Sequence, residues 1–251
     1  MDADSPHAGD APLLNSGAWP VMRPIGHVIS PFGEKFGVPR QPGIVTAARG
    51  RIIFEAPYDT PDAVRALDGF SHIWVIFYAH HIPCSPEFRP TVRPPRLGGN
   101  VRVGVFASRS LFRPNPIGLS LVRLEAVLVE NHKASLEISG MDLVDGTPVL
   151  DIKPYLPYVE APQDARGGFA GEAPGVVSVN WQATAEMALR NRIPDERQRD
   201  DFRVLAQQTL QSDPRPSYQS DQIGKTYSML LDGHTLDFCT TPSGLAITNL
   251  R

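Results

Sequence analysis

From Ile25 to Tyr158 the sequence sets down one strand-type segment after another and interrupts them with a single helical pattern. His27-Val-Ile-Ser30 is short and stops at Pro31, and Arg51-Ile-Ile-Phe-Glu55 is β-branched and ends at Pro57. The run from His72 to His80 is almost continuously apolar, as expected of a strand covered on both faces. Leu119 to Glu130 is rich in Val and Leu, and Ala134 to Ser139 alternates with period two. Asn131-His132-Lys133 between them reads as a hairpin connection. The helix is expected to start at Pro61 behind a Thr60 cap, to bury Ala63, Val64 and Leu67, and to stop at Gly69. Strands in series without βαβ alternation, and without a G-x-G-x-x-G turn, exclude a Rossmann sheet. They predict a mainly β fold whose N-terminal domain is a closed β-barrel with one short helix.

A second unit follows. Ala161 to Gly175 is a linker of Pro, Gly, Ala and Asp, Val176–Ala183 reads as a strand, and helical patterns cover Thr184–Arg190 and Asp195–Leu210. A three-stranded meander is expected over Thr226–Leu231, His234–Thr240 and Leu245–Leu250, with turns at Asp232-Gly233 and Pro242-Ser-Gly244. The predicted organisation is therefore a disordered tail over residues 1–20, the barrel over 21–160, a linker over 161–175 and a small α+β C-terminal domain over 176–251. The tail lacks a basic start followed by an apolar run, so no signal peptide is expected. No stretch approaches the length of a membrane span, and no membrane partner is expected. Cys84 and Cys239 have no ligand-type spacing; a structural disulfide is not expected, and a reducing cytoplasm suits the chain.

Charge is unevenly spread. The chain has 24 basic and 27 acidic residues. Seven arginines (Arg89, Arg93, Arg96, Arg102, Arg109, Arg113 and Arg123) fall in one window that holds no carboxylate. Elsewhere 17 basic residues face all 27 acidic ones. A like-charge cluster without counter-ions destabilises a fold by itself and makes sense where a polyanion docks. The alternative is a solvated face whose counter-ions come from elsewhere in the fold.

Three polar clusters accompany it. In Glu34–Gly43, Pro39 and Pro42 hold Arg40 and Gln41 on a stiff loop. His72, His80 and His81 bracket one strand; period two puts His72 and His80 on one face and His81 on the other. His72 and His80 lie roughly 27 Å apart at the usual strand rise, so they do not chelate one ion and no metal is expected. Ser139-Gly-Met-Asp-Leu-Val-Asp-Gly-Thr-Pro148 leaves a strand end and runs on to Asp151, Lys153 and Tyr155. Asp145 before Gly146 is read as a turn former and Asp142 as a functional carboxylate.

Taken in order, Ser30–Gly43, Arg93–Gly99, Gly104–Gly118 and Asp142–Tyr155 strongly resemble the TsaA-like, or TrmO, family of β-barrel S-adenosylmethionine-dependent tRNA methyltransferases. Asp213–Tyr218 and Gly224–Tyr227 resemble that family's smaller C-terminal domain. The resemblance implies N6-methylation of N6-threonylcarbamoyladenosine next to the anticodon. It further implies S-adenosylmethionine as cofactor and a homodimer with the cofactor near the subunit interface. Carried onto this sequence, it implies cofactor contacts at Pro39, Arg40, Gln41, His80, His81, Arg109, Leu119, Ser139, Gly140, Met141 and Asp142.

Loss of the N6 proton must accompany or precede methyl transfer, which points to Asp142 or a nearby neutral group as proton acceptor and to Arg109 or Arg113 as charge stabiliser. Arg93, Arg96, Arg113, Lys153 and Tyr155 are the expected substrate contacts on the tRNA anticodon arm. A base beside the anticodon would stack on Phe112 or Tyr155, and Arg215 and Lys225 would extend the RNA footprint. A non-catalytic RNA-binding barrel is the competing function: it would use the same arginines but leaves the Pro39–Gln41 and Asp142 clusters without a purpose.

Overall fold

The structure, a computed structural model, describes residues 21–82, 87–98, 100–215 and 222–251. The expected tail over residues 1–20, Cys84, Gly99, the side chain of Arg96 and the Pro216–Tyr218 part of the C-terminal motif lie outside the described residues.

Six strands close the barrel: β1 (Gly26–Ile29), β2 (Arg49–Phe54), β3 (His72–Tyr78), then, after a two-strand ribbon of β4 (Thr91–Val92) and β5 (Val103–Gly104), β6 (Ile117–Glu130), β7 (Lys133–Ser139) and β8 (Pro148–Pro154). They run in the order β1-β2-β7-β6-β3-β8, every pairing is antiparallel, and β8 returns to β1 through Gly26 opposite Val149. Closure removes the unpaired edges that an open sheet of these apolar strands would expose. Alternation fills the interior: Val28, Ile52, Ile73, Val75, Val122, Leu136 and Val149 are fully buried. The β6–β7 hairpin turns on Asn131 and His132, both in the left-handed region (φ 51° and 62°), as a two-residue hairpin loop requires.

Two expectations need correction. The segment after Thr60 is not an α-helix. It forms two 3₁₀ turns, Pro61–Val64 and Leu67–Gly69, separated by Ala66 at φ 65°, and the Thr60 side chain makes no cap hydrogen bond. Of the expected stripe only Val64 is buried, so nothing favours a longer helix. The His72–His80 run is covered fully on one face only: burial alternates along β3, and its outward side chains are half-buried.

The second unit joins β9 (Val179–Trp181), α2 (Ala183–Arg192), α3 (Glu196–Gln211) and the meander β10 (Thr226–Leu231), β11 (His234–Thr241) and β12 (Gly244–Leu250); a short α1 (Pro157–Glu160) leaves the barrel. The sheet order is β10-β11-β12-β9, with β9 parallel to β12. Asp195 caps α3 by accepting the Gln198 N–H at 2.8 Å. Phe202, Leu205, Ala206 and Leu210 of α3 and Ala185 and Leu189 of α2 are buried, and their core is continuous with that of the barrel. Among the described residues no helix is long and apolar enough to cross a membrane.

Candidate active site at the barrel rim

A cavity of about 460 Å³ opens where three segments meet at one end of the barrel. Val38, Pro39, Arg40 and Gln41 form one wall. Ser108, Arg109, Leu111 and Arg113 form another. Phe77 of β3, Ile117, Gly118 and Leu119 of β6, and Asp142 complete the lining. The volume lies within the range of small-molecule sites, and the lining mixes apolar side chains with convergent polar groups that can orient a ligand. Gly118 is needed there. A Cβ at this position would fall 2.0 Å from the Phe77 ring, so only glycine lets that ring lie beneath the cavity.

Arg109 ties two walls together. Its Nη1 donates to Gln41 Oε1 at 2.6 Å and its Nη2 to the Leu119 carbonyl at 3.1 Å. Gln41 is oriented in turn by donating to the Arg40 carbonyl. On the third side Gly140, at φ 71°, swings the chain out of β7 so that Met141 is buried and Asp142 reaches the cavity. Gly140 accepts from the Gly43 N–H at 2.7 Å, which fixes the two loops against each other.

Asp142 is the unusual group. Ser120, fully buried on β6, donates its hydroxyl to Asp142 Oδ1. Burial pushes the carboxyl up to about 6, against the smaller opposing pulls of the Ser120 hydroxyl, a backbone N–H and the Arg109 charge. A carboxyl raised toward neutral pH and lining a cavity suits proton transfer.

The remaining expected residues are spread more widely. Pro39, Arg40, Gln41, Arg109, Arg113, Leu119 and Asp142 line the cavity together, but His80, His81, Ser139, Gly140 and Met141 do not. β3 ends at Tyr78, so the period-two placement of the histidines fails: His80 and His81 have ring centroids 3.8 Å apart rather than lying on opposite faces. Desolvation, with the charges of His81 and Lys35, holds the His80 ring below its ordinary pKa. Ser139 is buried and donates to Glu125. Arg113 points into its own loop, donating to the Ser108 carbonyl at 2.7 Å and lying 5.7 Å from the Phe106 ring. Lys153 pairs with Asp151 at 3.2 Å, and Tyr155 packs edge-on against His72 and Trp74, both away from the cavity lining. Arg93 is exposed. Arg215 is not the surface cation expected: it is 5% exposed and paired with Asp213 at 2.7 Å.

Sequence reasoning missed Val38, Phe77, Ser108, Leu111, Ile117 and Gly118 as lining, and Ser120 as the partner of Asp142. A serine at an inward position of a Leu- and Val-rich strand was the available signal, because a buried hydroxyl needs a partner.

A six-stranded barrel with a cavity of mixed polarity on its rim and a separate α+β unit defines a class: barrel proteins that take a small ligand beside a basic loop. The chain belongs to the TrmO family. Residues 27–161 match the tRNA-methyltransferase O N-terminal domain, and residues 174–251 match the TrmO C-terminal domain. The tRNA (adenine(37)-N6)-methyltransferase of Escherichia coli K12 is 45% identical over 90% of this chain and 96% of its own length. The protein of the same description from Eikenella corrodens is 47% identical over 67% of this chain and 90% of its own. A crystal structure of TrmO from Pseudomonas aeruginosa superposes with a TM-score of 0.76 at 34% identity, covering 94% of this chain and all of that one.

Proposed function

We propose that this chain is an S-adenosylmethionine-dependent tRNA methyltransferase acting on N6 of the adenosine at position 37, with N6-threonylcarbamoyladenosine as the modified base. The observation that carries the chemistry is the convergence of Arg109, Gln41 and Asp142 on one cavity of suitable size. The relatives of the same description, at 45% and 47% identity, supply the substrate class.

The lining fits the cofactor. Val38, Phe77, Leu111 and Leu119 offer apolar surface to an adenine and a methionine chain, while Gln41, Arg109 and Asp142 offer a donor, a cation and an anion to its polar ends. S-adenosylmethionine supplies a methyl group already activated on a sulfonium, so the protein's tasks are alignment and proton removal. The N6 lone pair is delocalised into the purine and the carbamoyl group, which makes this nitrogen a poor nucleophile while it keeps its proton. Asp142 accepts that proton, and Ser120 holds the carboxylate in place through Oδ1. Arg109 stabilises charge that develops on the carbamoyl oxygen. Exposed Arg89, Arg93 and Arg102 meet the phosphates of the anticodon arm, and Phe112, 62% exposed, offers a face for an unstacked base.

The enzyme works in the cytoplasm, and as a homodimer it completes this site close to the subunit boundary. A pure RNA-binding barrel has no use for a desolvated carboxylate opposite an arginine in a ligand-sized cavity. Mass spectrometry of tRNA nucleosides from cells lacking the protein is the test. Threonylcarbamoyladenosine lighter by one methyl group is the expected result, and an unchanged nucleoside profile would contradict the assignment.

A further inference from the structure

Residues 31–47, which supply the Val38–Gln41 wall, contain no helix and no strand beyond a one-residue bridge at Phe32. Their shape is imposed from outside, chiefly by the C-terminal domain. At one end Phe32 bridges to Leu231, Asp232 N–H donates to the Pro31 carbonyl at 2.7 Å, and Leu230 N–H donates to Glu34 Oε1 at 2.8 Å. At the other, Gln208 of α3 accepts the Ala47 N–H at 2.9 Å. Phe36 between them stacks on Tyr227 and Phe238.

Arg40 is the tie in the middle. Its Nη2 donates to the Arg215 carbonyl at 2.8 Å and to that of Asp213 at 3.3 Å. Those carbonyls are themselves fixed. Arg215 grips the Asp213 carboxylate through Nε at 2.7 Å and Nη2 at 3.0 Å, and donates through Nη1 to the buried Thr240 hydroxyl of β11 at 3.1 Å. A continuous polar chain thus runs from the cavity wall to the middle of the second sheet.

We infer that the C-terminal domain sets the shape of the cofactor wall through Arg40, and that Arg40, held by the Asp213–Arg215 turn, positions Pro39 and Gln41. The inference rests on the methyltransferase reading of the cavity. Arg40 donates through Nη2 to two main-chain oxygens of the other domain, and its neighbour Gln41 carries the contact to Arg109.

Calorimetric affinity for S-adenosylmethionine and steady-state kinetics on the full-length protein test it, with Arg40→Ala, Arg40→Lys, Asp213→Asn and the Arg40→Ala/Asp213→Asn double variant. Asn tolerates the left-handed backbone at position 213 (φ 48°), so the fold should survive that change. Arg40→Ala and Asp213→Asn should each weaken cofactor binding about tenfold, as expected for losing a charge-assisted tie, with kcat at saturating cofactor nearly unchanged. The double variant should be no weaker than the worse single, because both remove the same link. Arg40→Lys, which keeps a charged donor, should recover part of the affinity. Should Asp213→Asn unfold the domain, Thr240→Val replaces it; this variant loosens Arg215 but leaves the Asp213 pair, and about threefold weaker binding is expected. Wild-type affinity in folded Asp213→Asn or Thr240→Val protein, or losses that multiply in the double variant, would overturn the inference. A wild-type protein that binds no S-adenosylmethionine would overturn the functional reading instead.

Discussion

Two irregular segments face each other across the cavity and are held in opposite ways. Residues 31–47 are pinned by the second domain at both ends and in the middle, and by Gly140 from the barrel. Residues 87–116 are organised mainly by their own contacts: the β4–β5 ribbon, the Arg113 staple across Val105, Ser108 and Ser110, and the stacking of Phe88 on Phe106. That second segment turns Phe106 and Phe112 outward, 73% and 62% exposed, among the arginines of the carboxylate-free stretch from Arg89 to Arg123. The contrast separates the tasks. A wall fixed from outside gives a small cofactor one geometry, while a self-braced loop studded with cations and rings offers a nucleic acid phosphate contacts and stacking surfaces.

The sharpest break in that division would come from Asp142, which sits between the two. Asp142→Asn should lower kcat/KM by about 10²–10⁴, the usual worth of a general base, with most of the loss in kcat at saturating cofactor. Its stability should move the other way. With the folded carboxyl at about 6 and the ordinary value at 3.8, the folded protein holds a proton that the unfolded chain releases between those pH values. Stability should therefore fall as pH rises through that window, by on the order of 2–3 kcal/mol, and thermal melts should show this slope flattened in Asp142→Asn.

A smaller loss is expected on the basic side of the cavity. Arg109→Ala should cost about 10–100-fold in kcat/KM by removing both a charge stabiliser and the Gln41 tie. Because the Arg109 charge pulls the Asp142 carboxyl down, its removal should also shift the acidic limb of the kcat/KM–pH profile to higher pH. A profile that stays put would separate the two residues.

The exposed arginines should have the mildest effect and the most diagnostic salt dependence. Arg93→Ala and Arg102→Ala should each reduce the log–log salt slope of tRNA binding by about 1 and leave S-adenosylmethionine affinity alone. An unchanged slope would remove those side chains from the phosphate path.

Much of this architecture was legible from periodicity. The strands β1–β3, β6, β7 and β9–β12 and the Asn131-His132 turn are local decisions, and local patterns record them, whereas the barrel strand β8 did not stand out as one. The helix after Thr60 was misread because cap, proline and stripe residues were all in place but too short a run had anything to bury. The histidine placement failed because β3 stops two residues before His80, and a period carries no information past a strand's end. Arg215 read as a surface cation, since nothing in its neighbourhood announces that Thr240 and Asp213 enclose it. The partnership between Arg40 and the second domain joins residues more than 170 positions apart. Each half stood out in the sequence, but only the fold shows that they meet.

The most direct test is incubation of the purified protein with threonylcarbamoylated tRNA and S-adenosylmethionine labelled in its methyl group, followed by nucleoside analysis. The label should appear on N6 of the adenosine at position 37 with wild-type protein and be all but absent with Asp142→Asn. Unlabelled tRNA with folded wild-type protein, or full labelling by Asp142→Asn, would contradict a rim cavity that aligns the methyl donor and takes the proton through Asp142.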